Sequence, residues 1–306
     1  MEHSVVIPKI NYPFSGDISK HAEEVQLSTH EWAASQKILD PITLEKYDEE
    51  KLGFLASRIH ANGEKQDIEL TSEFLLLFCI LDDYSDQVKN ENEFNLYLTE
   101  ILSIFAKGYT NENDALLGAW VDWWRRVKGV TNVTWREKFI HDAMRCFDSL
   151  KWEVRYRIKN ASPDLNEYMI ERQHTGSVYL VFDLIEKSNQ NYIPNEIKGE
   201  LFFHLVESAN KIVNWTNDLV SLNRELETGD VHNLVVCIQK QENLSLNEAI
   251  SKVEKLHYQE VDNFMKVKEK LLNVPHPYQH ELNEFILGLK QSIAGYYEWS
   301  VETNRY

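Results

Sequence analysis

The stretch Phe74-Leu75-Leu76-Leu77-Phe78-Cys79-Ile80-Leu81 sets eight apolar residues in a row and runs straight into Asp82-Asp83-Tyr84-Ser85-Asp86. No Gly or Pro interrupts it, and the upstream residues from Asp67 to Glu73 are helix-compatible. At about 3.6 residues per turn, such a run goes all the way round a helix. A helix that is apolar on every side is buried. The stretch therefore predicts a central helix from about Ile68 to Val88, with acids at its far end. Asp82 and Asp86 stand at i and i+4 on one face, and Asp83 and Asp86 at i and i+3. Carboxylates crowded at a helix C-terminus repel one another and oppose the helix dipole. A divalent cation would offset both effects. Mg²⁺ suits carboxylate oxygens and is commonly shared with substrate phosphates. Taken alone, the acids read equally well as the place where a buried helix meets solvent.

The 306 residues allow one large domain or two small ones, and 43% hydrophobic residues suffice for a substantial core. A net charge of −17 argues against nucleic acid or an anionic membrane as partner. It does not exclude a small anionic substrate held by local cations. Cys79, Cys146 and Cys237 are scattered and odd in number, which indicates neither a disulfide framework nor a zinc site. Met1-Glu2-His3-Ser4 shows no basic region followed by an apolar one, so no signal peptide is expected. The longest apolar run is far below the roughly 18 residues of a membrane span, and a reducing, cytoplasmic setting is the expectation.

Gly and Pro are sparse, which favours long helices. Residues 1–16 read as an irregular leader. Helices are expected from about Ile18 to Lys37 and from Thr43 to Ile59. After the central helix come Glu91 to Lys107 and Asn113 to Val127. Thr134-Trp135-Arg136-Glu137 matches a capping box and opens a helix to about Ile158. The next runs from Pro163 to near Lys187 with Gly176 inside it, where a kink or close approach is expected. Another runs from Pro194 to about Glu227 and ends at Thr228-Gly229-Asp230. A short helix from Asn233 to Gln239 follows. The capping box Ser245–Glu248 opens a helix to about Leu272, and a last helix covers roughly Glu281 to Thr303. No strand alternation, repeat or linker is evident. The reading is one all-α domain over 1–306, of about ten to twelve helices.

The helix after Pro194 carries a second polar face. Asn217, Ser221 and Glu225 fall at i, i+4 and i+8 and offer an amide oxygen, a hydroxyl and a carboxylate on successive turns. Such a set suits a hard cation. Asp218 points about 100° away and reads as a hydrogen-bonding neighbour rather than a ligand. On its own this face is also an ordinary polar stripe. Two such faces lining one bundle could hold a polyphosphate between them through Mg²⁺.

D-D-Y-S-D followed far downstream by N-D-L-V-S-L-N-R-E resembles the paired metal motifs of class I terpene synthases. Arg172 stands 45 residues before Asn217, where that family places a diphosphate-sensing arginine. Pro163, Tyr168 and Arg172 together resemble its bacterial branch. Thr175 and Gly176 fit that branch's linker and effector positions, though the linker is often acidic there. Trp299 and the pair Arg305-Tyr306 are similar to the family's terminal diphosphate-binding motif. The resemblance covers essentially the whole chain.

The resemblance implies an α-helical bundle with a central apolar cavity and a linear prenyl diphosphate as substrate. It implies Mg²⁺, three ions bound with the diphosphate, held by Asp82, Asp83 and Asp86 and by Asn217, Ser221 and Glu225. Asp82 is the first choice on its helix, Asp83 is read as orienting Arg172 or a metal-bound water, and Asp86 is the weaker ligand. Arg172, Arg224, Arg305 and Tyr306 would complete the diphosphate shell. Loss of diphosphate would give an allylic carbocation, which needs a dry pocket with aromatic faces. Phe78, one turn from Asp82, is the first choice for the wall, followed by Trp299, Phe54, Tyr179 and Val178. No base stands out, which leaves the released diphosphate as proton acceptor. Farnesyl diphosphate is expected. The small Cys79 leaves geranylgeranyl diphosphate as the alternative, and the resemblance leaves a homodimer open. A chain-elongating synthase would need a second aspartate-rich motif, and a protonation-initiated cyclase a D-x-D-D motif; neither is present. His141-Asp142 resembles a phosphohydrolase pair without its supporting histidines. A non-catalytic helical scaffold is the alternative of another kind.

Overall fold

The structure is a computed structural model that describes residues 5–188, 192–275 and 277–306. The first four residues of the expected leader lie outside the described residues. In chain order the helices are α1 (Ala22–Gln36), α2 (Pro41–Glu49), α3 (Leu52–Ile59), α4 (Lys65–Gln87) and α5 (Glu91–Lys107). Then come α6 (Ala115–Gly129), α7 (Val133–Ile158), α8 (Leu165–Thr175), α9 (Val178–Ser188) and α10 (Glu200–Val220). The last four are α11 (Leu222–Thr228), α12 (Leu234–Glu242), α13 (Leu246–Leu272) and α14 (Gln279–Ser300). Among the described residues there is no strand, and no helix is long and apolar enough to cross a membrane.

The apolar run sits in α4, and all of its side chains but Cys79 are buried. Helices α1, α3, α6, α7 and α9 pack around it. On the α6–α7 side an aromatic cluster closes the core. Phe74 lies 5.4 Å from Trp123 and 6.0 Å from Phe139 between ring centres. Trp123 donates its indole N–H to the carbonyl of Leu70 at 2.8 Å, and Trp124 donates to that of Phe105. These two buried indole donors are thus satisfied, while that of Trp120 has no partner among the described residues, and each ring adds about 1.5–3 kcal/mol or more of burial. A second, smaller apolar cluster joins α8, α10, α12 and α13 through Tyr168, Trp215 and Leu234.

The helices number more than expected because three long predicted ones break. Lys51, with φ 56°, takes the left-handed region and splits 43–59 into α2 and α3. The 163–187 helix breaks at the expected place, but Gly176 keeps φ −77° and it is Ser177 that turns the chain at φ 53°. The third break, at Ser221, is slight. Ser221 N–H still bonds to Asn217 O at 2.9 Å and Glu225 N–H to Ser221 O at 3.0 Å, so the helical phase survives. Helix α10 begins at Glu200, not Pro194, because Pro194 to Gly199 form turns. The Ser245–Glu248 capping box is present. The proposed Thr134–Glu137 box is not: Asn132 caps α7 by accepting from Trp135 N–H at 2.8 Å.

Candidate active site

The C-terminal end of α4 and the junction of α10 and α11 open onto one cavity of about 460 Å³. Asp82 and Asp86 line it from α4, Asn217 from α10 and Glu225 from α11. Ser221 stands between the latter two, buried, with its hydroxyl donating to the Asn217 carbonyl at 2.6 Å. The preserved phase across Ser221 is what keeps the three on one face.

These carboxyls are held at a cost. Asp86, its side chain 43% exposed, is still raised to about 7 by partial desolvation and by repulsion from Asp82, against the opposing charge of Arg157. Burial and Asp218 push Glu225 up to about 8, although Asn233 donates to it at 2.7 Å. Asp82, which lines the cavity, is raised by desolvation and by Asp83, with Arg305 opposing. Glu153, buried on α7 and lining the same space, is pushed by burial to about 8. Four carboxyls facing one cavity, all biased toward protonation, are a donor set that a hard divalent cation fits. Among the described residues no three acidic, His or Cys groups already form a closed metal cluster. The oxygens instead come from two sides, which suits an ion that also takes oxygens from a bound anion.

Arg172 is buried and held at three points. Its Nε donates to Asp218 Oδ1 at 2.9 Å, Nη1 to Thr175 Oγ1 at 3.2 Å and Nη2 to Asn217 Oδ1 at 2.6 Å. Asp218, as expected, faces away from the cavity; its Oδ2 accepts from Tyr168 at 2.8 Å and from Leu234 N–H at 3.2 Å. Gly176 lies beside Asn214 and Arg172, and a Cβ there would collide with the Asn214 amide oxygen.

The chain's last residues fold back over the cavity mouth. Trp299 Nε1 and Thr303 Oγ1 both donate to the Glu50 carbonyl at 2.8 Å. Arg305 donates to Glu50 Oε2 at 2.6 Å and to Asp83 Oδ1 at 3.2 Å. Arg224 donates to the Arg305 carbonyl at 3.4 Å. Tyr306 accepts from Asn217 Nδ2 at 2.9 Å.

Phe78, Cys79, Thr175, Gly176, Val178, Arg224, Trp299, Arg305 and Tyr306 all lie on the cavity, as expected from the sequence. Three expectations need correction. Phe54 lines a separate surface recess with Leu27 and His30, because the break at Lys51 turns Leu52 and Leu55 inward instead. Tyr179 is one position, about 100°, from the inward Val178; it faces His174 and donates to Gln173 at 3.4 Å. Asp83 is turned out of the cavity and does not touch Arg172. It accepts from Tyr47 at 2.6 Å and from Arg305, and pairs with Arg224 at 3.7 Å.

Sequence reasoning missed Glu153, Arg157 and Tyr296 on the cavity wall. Arg157 pairs with Asp86 at 2.9 Å and with Asp230 at 3.3 Å, tying α4 to the segment after α11. A readable signal existed: Glu153 and Arg157 continue the buried 4-3-4 spacing of Cys146 and Leu150, which puts charge on a core face. Tyr296 carries no local signal.

A family model described as "Terpene synthase family 2, C-terminal metal binding" matches residues 73–263. The chain is 29% identical over 303 residues to a (+)-T-muurolol synthase, (2E,6E)-farnesyl diphosphate cyclizing, from Roseiflexus castenholzii, with 97% of this chain and 93% of that one covered. It is 27% identical over 315 residues to a germacrene A synthase from Nostoc punctiforme, covering 99% and 96%. Germacradien-4-ol synthase from Streptomyces citricolor shares the fold with a TM-score of 0.87 at 22% identity, covering 97% of this chain and 99% of that one. The matched segment spans the paired polar faces and Arg172 in one cavity, and the chain belongs to the terpene synthase family, as a class I terpene synthase of the bacterial type.

Proposed function

We propose that the protein converts farnesyl diphosphate to a cyclic sesquiterpene and releases diphosphate. The observation that carries this reading is the meeting of Asp82 and Asp86 with Asn217 and Glu225 on one cavity whose deeper wall is apolar. Leu52, Leu55, Leu75, Phe78 and Val178 supply that wall. The substrate is read from relatives whose names specify farnesyl diphosphate or sesquiterpene products.

Mg²⁺, in our reading three ions, would be held by Asp82 and Asp86 on one side and by Asn217, Ser221 and Glu225 on the other, and would neutralise the leaving diphosphate as a Lewis acid. Asn217 Oδ1 has a second lone pair beyond the one taken by Arg172. Arg172, Arg224 and Arg305 offer guanidinium donors that suit phosphate oxygens. With their charge at the mouth, the C–O bond breaks and its electron pair leaves with diphosphate. The allylic cation that remains faces the rings of Phe78 and Trp299, which favour positive charge. The folded-back tail, anchored by Trp299 and Thr303 on Glu50, keeps water from that cation, which after ring closure becomes a neutral product by losing a proton to the released diphosphate.

Asp83 holds the tail in this reading, binding Arg305 and Arg224 rather than an ion. Cys79 is small and on the wall, so the twenty-carbon diphosphate is the second reading. Incubation with the ten-, fifteen- and twenty-carbon diphosphates, read by mass spectrometry, tests the choice. Turnover of the fifteen-carbon substrate is expected to dominate; a preference for twenty carbons would transfer the assignment.

A further inference from the structure

The side chain of Asn217 is ligated at both ends. Its Oδ1 accepts from Arg172, and its Nδ2 donates to Tyr296 OH at 2.7 Å and to Tyr306 OH at 2.9 Å. The two phenols are themselves 2.6 Å apart. The amide nitrogen is a donor only, and it meets both phenol oxygens. Arg172, a donor only, fixes which way the amide faces, and the phenols then hold it by its nitrogen. Flipped, its NH₂ would meet the Arg172 guanidinium, donor against donor.

The two phenols differ in how they are held. Tyr296 belongs to α14 and its ring leans on Trp299, 5.6 Å away. Tyr306 lies beyond the helix, and its ring meets Trp299 edge-on at 5.8 Å. Tyr296 is therefore the fixed post of the three. The proton count adds a consequence. One phenolic hydrogen closes the contact between the tyrosines, and the other is not used within the trio. Both residues line the cavity, so that O–H is available to an anion there.

We infer that Tyr296 is a positioning residue of this site: its hydroxyl anchors the Asn217 amide by its nitrogen, holding the oxygen at Arg172 and the anion end, and seats the tail through Tyr306. The inference rests on the diphosphate-binding reading above.

Tyr296→Phe keeps the ring and removes only the hydroxyl. Two readouts apply to the full chain. The first is calorimetric affinity for inorganic diphosphate in Mg²⁺. The second is hydrogen exchange of a peptide covering 301–306 in metal-free protein. The variant is expected to bind diphosphate about tenfold more weakly, as loss of one well-placed hydrogen bond implies. Tail exchange should rise while that of α13 stays as in wild type. Combining Tyr296→Phe with Tyr306→Phe should cost little more than the worse single change. Wild-type affinity with an unchanged tail would overturn the inference and leave the site reading standing. Faster exchange across the whole chain would assign Tyr296 to packing alone, and multiplicative losses in the double variant would separate the two phenols. No binding of diphosphate by wild type would overturn the site reading and this inference with it.

Discussion

Arg172 and Asp218 form a buried ion pair, Nε to Oδ1 at 2.9 Å, with the Asp218 side chain 1% exposed. They sit on different helices, α8 and α10, and the pair aims the guanidinium at Asn217, the neighbour of Asp218 in sequence. Asp218 thus serves the second polar face from behind it.

Removing one partner of such a pair leaves a buried charge without its counter-ion. Asp218→Ala should lose about 3–5 kcal/mol of stability. The urea midpoint checks this; a loss under about 1 kcal/mol, the range of an exposed pair, would contradict the buried role.

Asp82 and Asp83 are adjacent and share Arg305, at 3.7 and 3.2 Å, but only Asp82 lines the cavity and only Asp83 also holds Tyr47 and Arg224, so their variants should separate. Asp82→Asn should raise the Mg²⁺ concentration needed for half-maximal turnover more than Asp83→Asn does. Asp83→Asn should instead loosen the tail, since Arg305 and Arg224 lose a shared negative charge and only one of the two accepting oxygens remains for Arg305 and Tyr47. Its signature is a larger share of water-captured alcohol among the products. Titration of Mg²⁺ with product analysis decides, and the reverse order would contradict the assignment.

His257 is buried between Tyr12 and Thr216, and burial lowers its pKa to about 4. The unfolded chain takes up this proton near pH 6.5, while the folded chain does not until about 4. Acidification through that window therefore favours unfolding, by about 1.4 kcal/mol per pH unit. The stability gap between wild type and His257→Gln should shrink at that rate from pH 6.5 to 4. A constant gap in urea melts across this range would contradict it.

Gly176→Ala places a methyl group against the Asn214 amide and near Arg172. Overpacking of this kind costs about 1–3 kcal/mol. Turnover should fall with it, because the displaced neighbours border the cavity. Unchanged melting and turnover would show that the wall yields freely.

The all-helical class, the buried α4 and the polar faces were legible in the sequence because each rests on local periodicity. Glu91 to Lys107 was read to the residue and the end near Leu272 closely, since a cap or a run of polar residues marks them. The left-handed residues Lys51 and Ser177 were not, because their conformation is imposed by packing rather than by Gly. Phe54 was misplaced by the first of these breaks, and Tyr179 by treating neighbouring residues as one face. The partners of Asp83, and the Asn217–Tyr296 contact, join residues far apart in the chain and leave no spacing to read.

The most direct measurement is release of diphosphate from farnesyl diphosphate, with and without Mg²⁺, by wild type and by Asn217→Leu. Two polar faces acting on one anion predict release that requires Mg²⁺, is lost on chelation and is abolished in a variant whose circular dichroism matches wild type. Release that survives chelation, or that continues in Asn217→Leu, would show that the two faces do not work together.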